Sequence, residues 1–370
     1  MAKSYILGRA ITGMLVCGLF FAGAVPAQKM STITSDNVIV MIPPKWELLG
    51  RELMPDIQRC FVFMNRSIKN RLPSKVSILV DWKRSESRSD HLENSIIIGM
   101  NNPAATANER AFLFHEIARE LARMGLLRLS NGAQREDTKF LFEGMIEVLV
   151  HEFDHSSRRL EAAWATARLL DEMQLLGFEH QRSWSGFSGG RRSHRNAAPG
   201  VTFIKMHRDL QGRDRPMELF ESLRKSGFIR SLSNAFRAPA AELEENWLRR
   251  VREYRIPDEI VINADEVPRL RKTELVPERG NPGESIQIRL YIESGMGSLP
   301  AEMIFIRDER TGRIVHPRPA SEMETSLYTA DIPIDEECPP GSYVYTVTAI
   351  NEGGNLKRWS GYYHVGGDGR

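Results

Sequence analysis

The residues best suited to chemistry lie between Glu109 and His155 and fall into three groups. His115 and Glu116 sit in the run ERAFLFHEIARELARM. Glu143 and Glu147 sit in FLFEGMIEV, and His151, Glu152 and His155 in HEFDH. Two imidazoles four residues apart lie on adjacent turns of one helix face, where both can bind a single metal ion. A Glu directly after the first His can then act as base towards a metal-bound water, and another segment supplies a third ligand. HEFDH is this pattern complete. HEIAR, His115 to Arg119, is the same pattern with an arginine where the second imidazole belongs. A guanidinium stays protonated at ordinary pH and only donates hydrogen bonds, so Arg119 cannot be a ligand.

Both sets need helices to position them. Apolar residues recur at helical spacing on either side of the Gly/Asn-containing break near residue 131, which predicts one helix from Glu109 and another through Glu143 to His155. Upstream, NVIVMI (37–42), KVSILVDW (75–82) and SIIIGM (95–100) read as strands. Between the first two, Leu49, Leu53, Ile57, Phe61, Met64 and Ile68 mark a helix, which Pro55 would kink or delay. The charged segment 83–93 reads as a loop. From Glu161 to about Arg255 the pattern is helical, interrupted by the Ser-, Gly- and Arg-rich stretch 180–200.

The region from Asn37 to about Tyr254 resembles the gluzincin metallopeptidases, in particular the peptidase MA-like group. The resemblance implies a zincin-like domain. In such proteins a HExxH helix is followed by a second helix whose first Glu is the third zinc ligand, with another Glu four residues on that supports a zinc-bound His. Glu143 and Glu147 match those positions, His115 matches the first ligand and Glu116 the general base. The resemblance also implies that strand 95–100 is the edge that pairs with substrate, and that the tail running to Trp247 forms a helical subdomain. Two catalytic parts are missing: Arg119 replaces a ligand, and no Tyr stands near Ala197, ahead of Gly200, where many gluzincins stabilise an oxyanion.

Without a metal, His115, Glu116, Glu143 and Glu147 would leave a pocket of buried carboxylates, which is costly unless a cation compensates. Arg119 is therefore expected to replace zinc as the internal cation and to pair with Glu143. On an uninterrupted helix HEFDH begins about 12 Å beyond Glu143, too far to share a metal. Its third ligand would have to be new; Glu161, Glu172 and Glu179 are the candidates, and Arg158 stands where metzincins have a turn glycine. Glu143, Glu147, His151 and His155 also recur every four residues, as a plain polar stripe would.

The rest of the chain bounds the function. Of 370 residues, 41% are hydrophobic and 26% charged, as in ordinary globular proteins. Lys3 and Arg9 precede an apolar run, 11–25, and Val25-Pro26-Ala27 offers a cleavage site, so residues 1–27 read as a secretory signal. The remainder carries 48 basic and 48 acidic side chains, since only Lys3 and Arg9 are lost from the totals of 50 and 48. That balance gives no reason to expect nucleic acid as partner, and no later segment is apolar enough to span a membrane. Cys60 and Cys338 are read as separate, half-buried thiols, without excluding a disulfide. After Tyr254, prolines punctuate the chain and short alternating runs follow from about Arg269, which suggests an immunoglobulin-like sandwich without the Cys…Trp…Cys pattern.

The expectation is an α+β chain: signal peptide 1–27, gluzincin-like domain 36–256 and β-sandwich 267–366, exported to the periplasm or beyond. It would be a degenerate enzyme that binds a peptide or protein, with no cofactor. The alternative is an active zinc peptidase using His151, Glu152 and His155, or His115 and Glu143 with an unforeseen ligand.

Overall fold

The computed structural model describes residues 30–101, 108–183, 194–262, 264–295, 299–320, 326–351 and 353–366. The expected signal peptide and residues 184–193 of the 180–200 stretch lie outside these residues, and the two ends of that stretch are helical. The chain is a mixture of α and β.

The first unit begins with β1 (Ser31–Thr34) and β2 (Val38–Ile42), then α1 (Glu47–Ser67), β3 (Val76–Asp81), β4 (Arg88–Asp90) and β5 (Ser95–Gly99). The sheet order is β1-β2-β3-β5-β4. The three inner strands run parallel, and β1 and β4 close the two edges antiparallel. Alternation fixes the register: Val38, Val40 and Ile42, then Val76, Ile78 and Val80, then Ile96 and Ile98 all point into one core. α1 covers that face with Leu53, Ile57, Phe61 and Met64 and runs through Pro55 as one helix. Strand 95–99, expected at the edge, is internal. The edge is β4, inside the segment read as a loop, because a three-residue strand with charged Arg88 and Asp90 gives no apolar alternation. β1 starts ahead of the expected boundary at residue 36.

Helices follow: α2 (Glu109–Leu129), α3 (Lys139–Asp154), α4 (Ser157–Glu172), α5 (Phe178–Ser183), α6 (His194–Gln211), α7 (Asp214–Leu223), α8 (Phe228–Phe236) and α9 (Ala240–Arg252). Asn108 caps α2, accepting from the Ala111 N–H at 3.0 Å. Thirteen residues of α2 are buried, which makes it the central rod of the unit. α3 crosses α6 with Gly144 against Gly200: a Cβ on Gly200 would sit 1.9 Å from the Phe140 carbonyl oxygen. Gly200 lies within α6 and permits this crossing. Trp247 of α9 is fully buried and donates to Thr202 Oγ1 at 3.0 Å.

The second unit is all β. Its larger sheet runs β11 (Ile314–Val315), β10 (Ile304–Asp308), β14 (Gly341–Ile350), β15 (Leu356–Val365) and β6 (Glu259–Ile260), with β8 (Arg279–Gly280) beside β15. The smaller runs β12 (Arg318–Pro319), β13 (Leu327–Pro333), β9 (Ser285–Glu293) and β7 (Arg269–Val276). Ile286, Ile288, Leu290 and Ile292 share a core with Ile304, Ile306, Val347 and Tyr363 from the facing sheet. β6 joins this unit ahead of the expected start at 267. A third core ties the units together: Ala162, Ala165 and Leu169 of α4 meet Ile260, Met303, Phe305, Ile350 and Leu356. Cys60 and Cys338 are free thiols in different units, and both are fully buried rather than half-buried. Among the described residues no helix is long and apolar enough to cross a membrane.

Candidate functional site

α2 presents Glu116, Arg119, Glu120 and Arg123 at spacings of three and four, a charged stripe on an otherwise apolar rod. α3 faces it with Glu143 and Glu147. The Arg119 guanidinium donates to Glu143 Oε2 at 3.2 Å and pairs with Glu147, with Glu116 at 3.9 Å from its Nε. Arg123 grips Glu143 with a two-pronged contact, Nη1 to Oε1 at 2.6 Å and Nη2 to Oε2 at 2.9 Å. It also reaches Glu120 at 3.5 Å. Arg119 is 8% exposed, Arg123 7% and Glu120 0%; side chains this buried must be paired. Burial alone would lower the Arg123 guanidinium, but the charges of Glu143 and Glu120 outweigh it and raise it.

The third guanidinium comes from α4. Arg159 Nη1 lies 2.9 Å from His115 Nε2. A guanidinium can only donate, so the ring nitrogen is the acceptor and His115 is neutral with its proton on Nδ1. Burial, then Arg159, then Arg119 hold the imidazole well below its ordinary range. Burial also lowers Arg159, partly offset by Asp154, Glu116 and Glu266. Phe153 packs at tilted angles against Phe63 and Phe114, at centroid distances of 5.4 and 5.9 Å, each half-buried.

HEFDH is not a continuous helix face. α3 ends at Asp154, and His155 is its C-cap at φ 57° and ψ 28°. Relative to a helical φ this rotates the Cα–Cβ bond by about 120°, so the second imidazole leaves the face of the first. His155 is exposed, and His151 Nδ1 bonds to the Ser156 carbonyl. Glu152 is held by Arg208 of α6, with Nε to Oε1 at 2.9 Å and Nη2 to Oε2 at 2.5 Å. Two of the other suggested ligands are held by arginines. Glu161 pairs with Arg158 at 2.8 Å, and Glu172 with Arg168 and Arg307 at 2.8 and 3.0 Å.

Zinc does not fit this donor set. The lone pair of His115 Nε2 already accepts from the Arg159 guanidinium, and Arg119, which reaches Glu143 Oε2, stands at the position of the second imidazole. Among the described residues no group of three or more His, Cys, Asp or Glu is arranged to hold a metal. Reading the sequence by motif brought Arg119, Glu143 and Glu147 together but missed Arg123, Arg159 and Arg208. Arg123 had a visible signal, its place in the Glu116–Arg123 stripe; Arg159 and Arg208 had none.

No family model matches this chain, and no curated protein matches it. Among solved structures, alkylpurine DNA glycosylase AlkC of Pseudomonas fluorescens, bound to DNA with an abasic-site analogue, shares 12% identity at a TM-score of 0.21. That match covers 86% of this chain and 99% of that one. The S-layer protein rSbsC shares 8% identity at a TM-score of 0.16, over 85% of this chain and 46% of that one. Superpositions this poor carry no argument about fold or function.

Proposed function

We propose that this is an exported, non-catalytic protein built on a gluzincin-type peptidase scaffold, which uses its former cleft and an immunoglobulin-like sandwich to bind a peptide or protein. The observation that supports it is the pairing of the three residues at the scaffold's ligand and supporting positions with arginines: Glu143 and Glu147 with Arg119, Glu143 again with Arg123, and His115 with Arg159. On this reading no metal-bound water forms, and Glu116 has none to deprotonate. The peptidase alternative at HEFDH is disfavoured by the left-handed His155 and by the Arg208 clamp on Glu152.

The test is metal content and turnover on the same preparation. The protein is purified from its exported fraction without chelator, zinc is quantified, and casein and a peptide library are incubated with it. The reading expects well under one equivalent of zinc, no cleavage, and retention of a subset of peptides. One equivalent of zinc together with hydrolysis lost on Glu152→Gln or Glu116→Gln would overturn it.

A further inference from the structure

We infer that Arg159 is a second lock on the site, as necessary as Arg119 for keeping a metal out. This inference rests on the scaffold reading above. Arg119 blocks by replacing a ligand. Arg159 blocks differently, by occupying the ligand that remains. Because its guanidinium only donates, His115 is fixed in the tautomer that offers Nε2 as acceptor, and the acceptor already faces a cation at 2.9 Å. The imidazole is thus set up for a metal ion with an organic cation in its place.

The helix that carries Arg159 is held in place. It lies in the first turn of α4, immediately after the chain reverses at His155. The same helix is anchored on its far side by the sandwich through Ala162, Ala165 and Leu169. The stacking of Trp164 on Tyr254 and the ion pair of Arg252 with Asp171, 2.9 Å long, tie it to the end of α9. Glu143 presents a different case. A carboxylate has about four lone-pair positions, and Arg123 uses one on each oxygen. Removing Arg119 would therefore release a position on Oε2, leaving Arg123 to orient the group. Reverting Arg119 alone would complete the HExxH spacing and still leave a guanidinium against His115 Nε2, where it repels a divalent ion. Reverting both would give two imidazoles and a carboxylate with free lone pairs.

The experiment uses the full-length mature chain and zinc ion alone as probe, read by chelator competition and by the cobalt(II) absorption band. Four proteins are compared: wild type, Arg119→His, Arg159→Met and the double variant. Only the double variant should hold one equivalent, at least on the order of 100-fold more tightly than either single variant, and only its melting temperature should rise with zinc. Arg119→His/Arg159→Lys, which keeps the positive charge, should again bind none. If circular dichroism shows that the methionine double variant has not folded, Arg119→His/Arg159→Leu replaces it. Stoichiometric zinc in Arg119→His alone would overturn the second lock and leave the scaffold reading intact. A folded double variant without zinc would overturn both, because the donors would then never have formed a ligand set.

Discussion

Arg123 is the residue whose loss should be felt most. Truncating it to alanine removes the two-pronged contact on Glu143 and the contact with Glu120, which is fully buried. Breaking a buried pair on one side costs about 3–5 kcal/mol, so the urea midpoint of Arg123→Ala should fall accordingly, well beyond that of an exposed control such as Arg59→Ala. His207 gives a pH signature. It is 2% exposed, lies against Phe203 and Phe236 at centroid distances of 4.6 and 4.3 Å, and burial pushes it down to about 4. The unfolded chain takes up this proton near pH 6.5, while the folded chain refuses it until about 4. Stability contributed by the neutral ring is therefore complete above pH 6.5 and is lost as pH falls through that window, by up to about 1.4 kcal/mol per pH unit. His207→Phe should flatten that part of the curve of unfolding free energy against pH. An unchanged slope would mean that His207 is not the group responsible.

At the level of elements, α3 is defined by its two ends and its crossing. His155 in the left-handed region carries a penalty of about 1–2 kcal/mol that glycine avoids. His155→Gly should therefore stabilise the protein by about 1 kcal/mol in thermal unfolding; a ligand role for His155 would instead make the substitution release metal. Gly200→Ala should do the opposite, because its methyl group has no space beside the Phe140 carbonyl and α3 must move from α6. A loss of at least about 1–3 kcal/mol is expected from such overpacking. These elements also show what the sequence could reveal. Strands with strict alternation, such as 38–42 and 76–81, and helices with long apolar stripes were legible within a residue or two. The pairing of Arg119 with α3 followed from motif spacing along two helices. β4 was hidden by its length and charge. The break at His155 was hidden because its neighbours keep helical periodicity, and without that turn nothing in the sequence brings Arg159 back to His115, 44 positions away.

For the molecule as a whole, the docking of the sandwich on α4 decides how the two units behave. Ala162 and Ala165 are fully buried against Phe305, Ile350 and Leu356, and Arg307 crosses the boundary to Glu172 at 3.0 Å. The linker is held too: Asn355 accepts from the Ile262 N–H at 2.8 Å, and Asn351 donates to the Glu266 carbonyl. The intact chain should unfold in one transition, whereas Ala165→Asp, which buries an unpaired carboxylate, should split it into two in calorimetry. A single transition in that variant would show that the units are not coupled through this face. The exposed Arg255, one residue past Tyr254 at the end of the first unit, adds a consequence of the same contact. A chain cut there would become two polypeptides that still travel together, a heterodimer made from one gene product. They should co-elute on a sizing column and part only in denaturant.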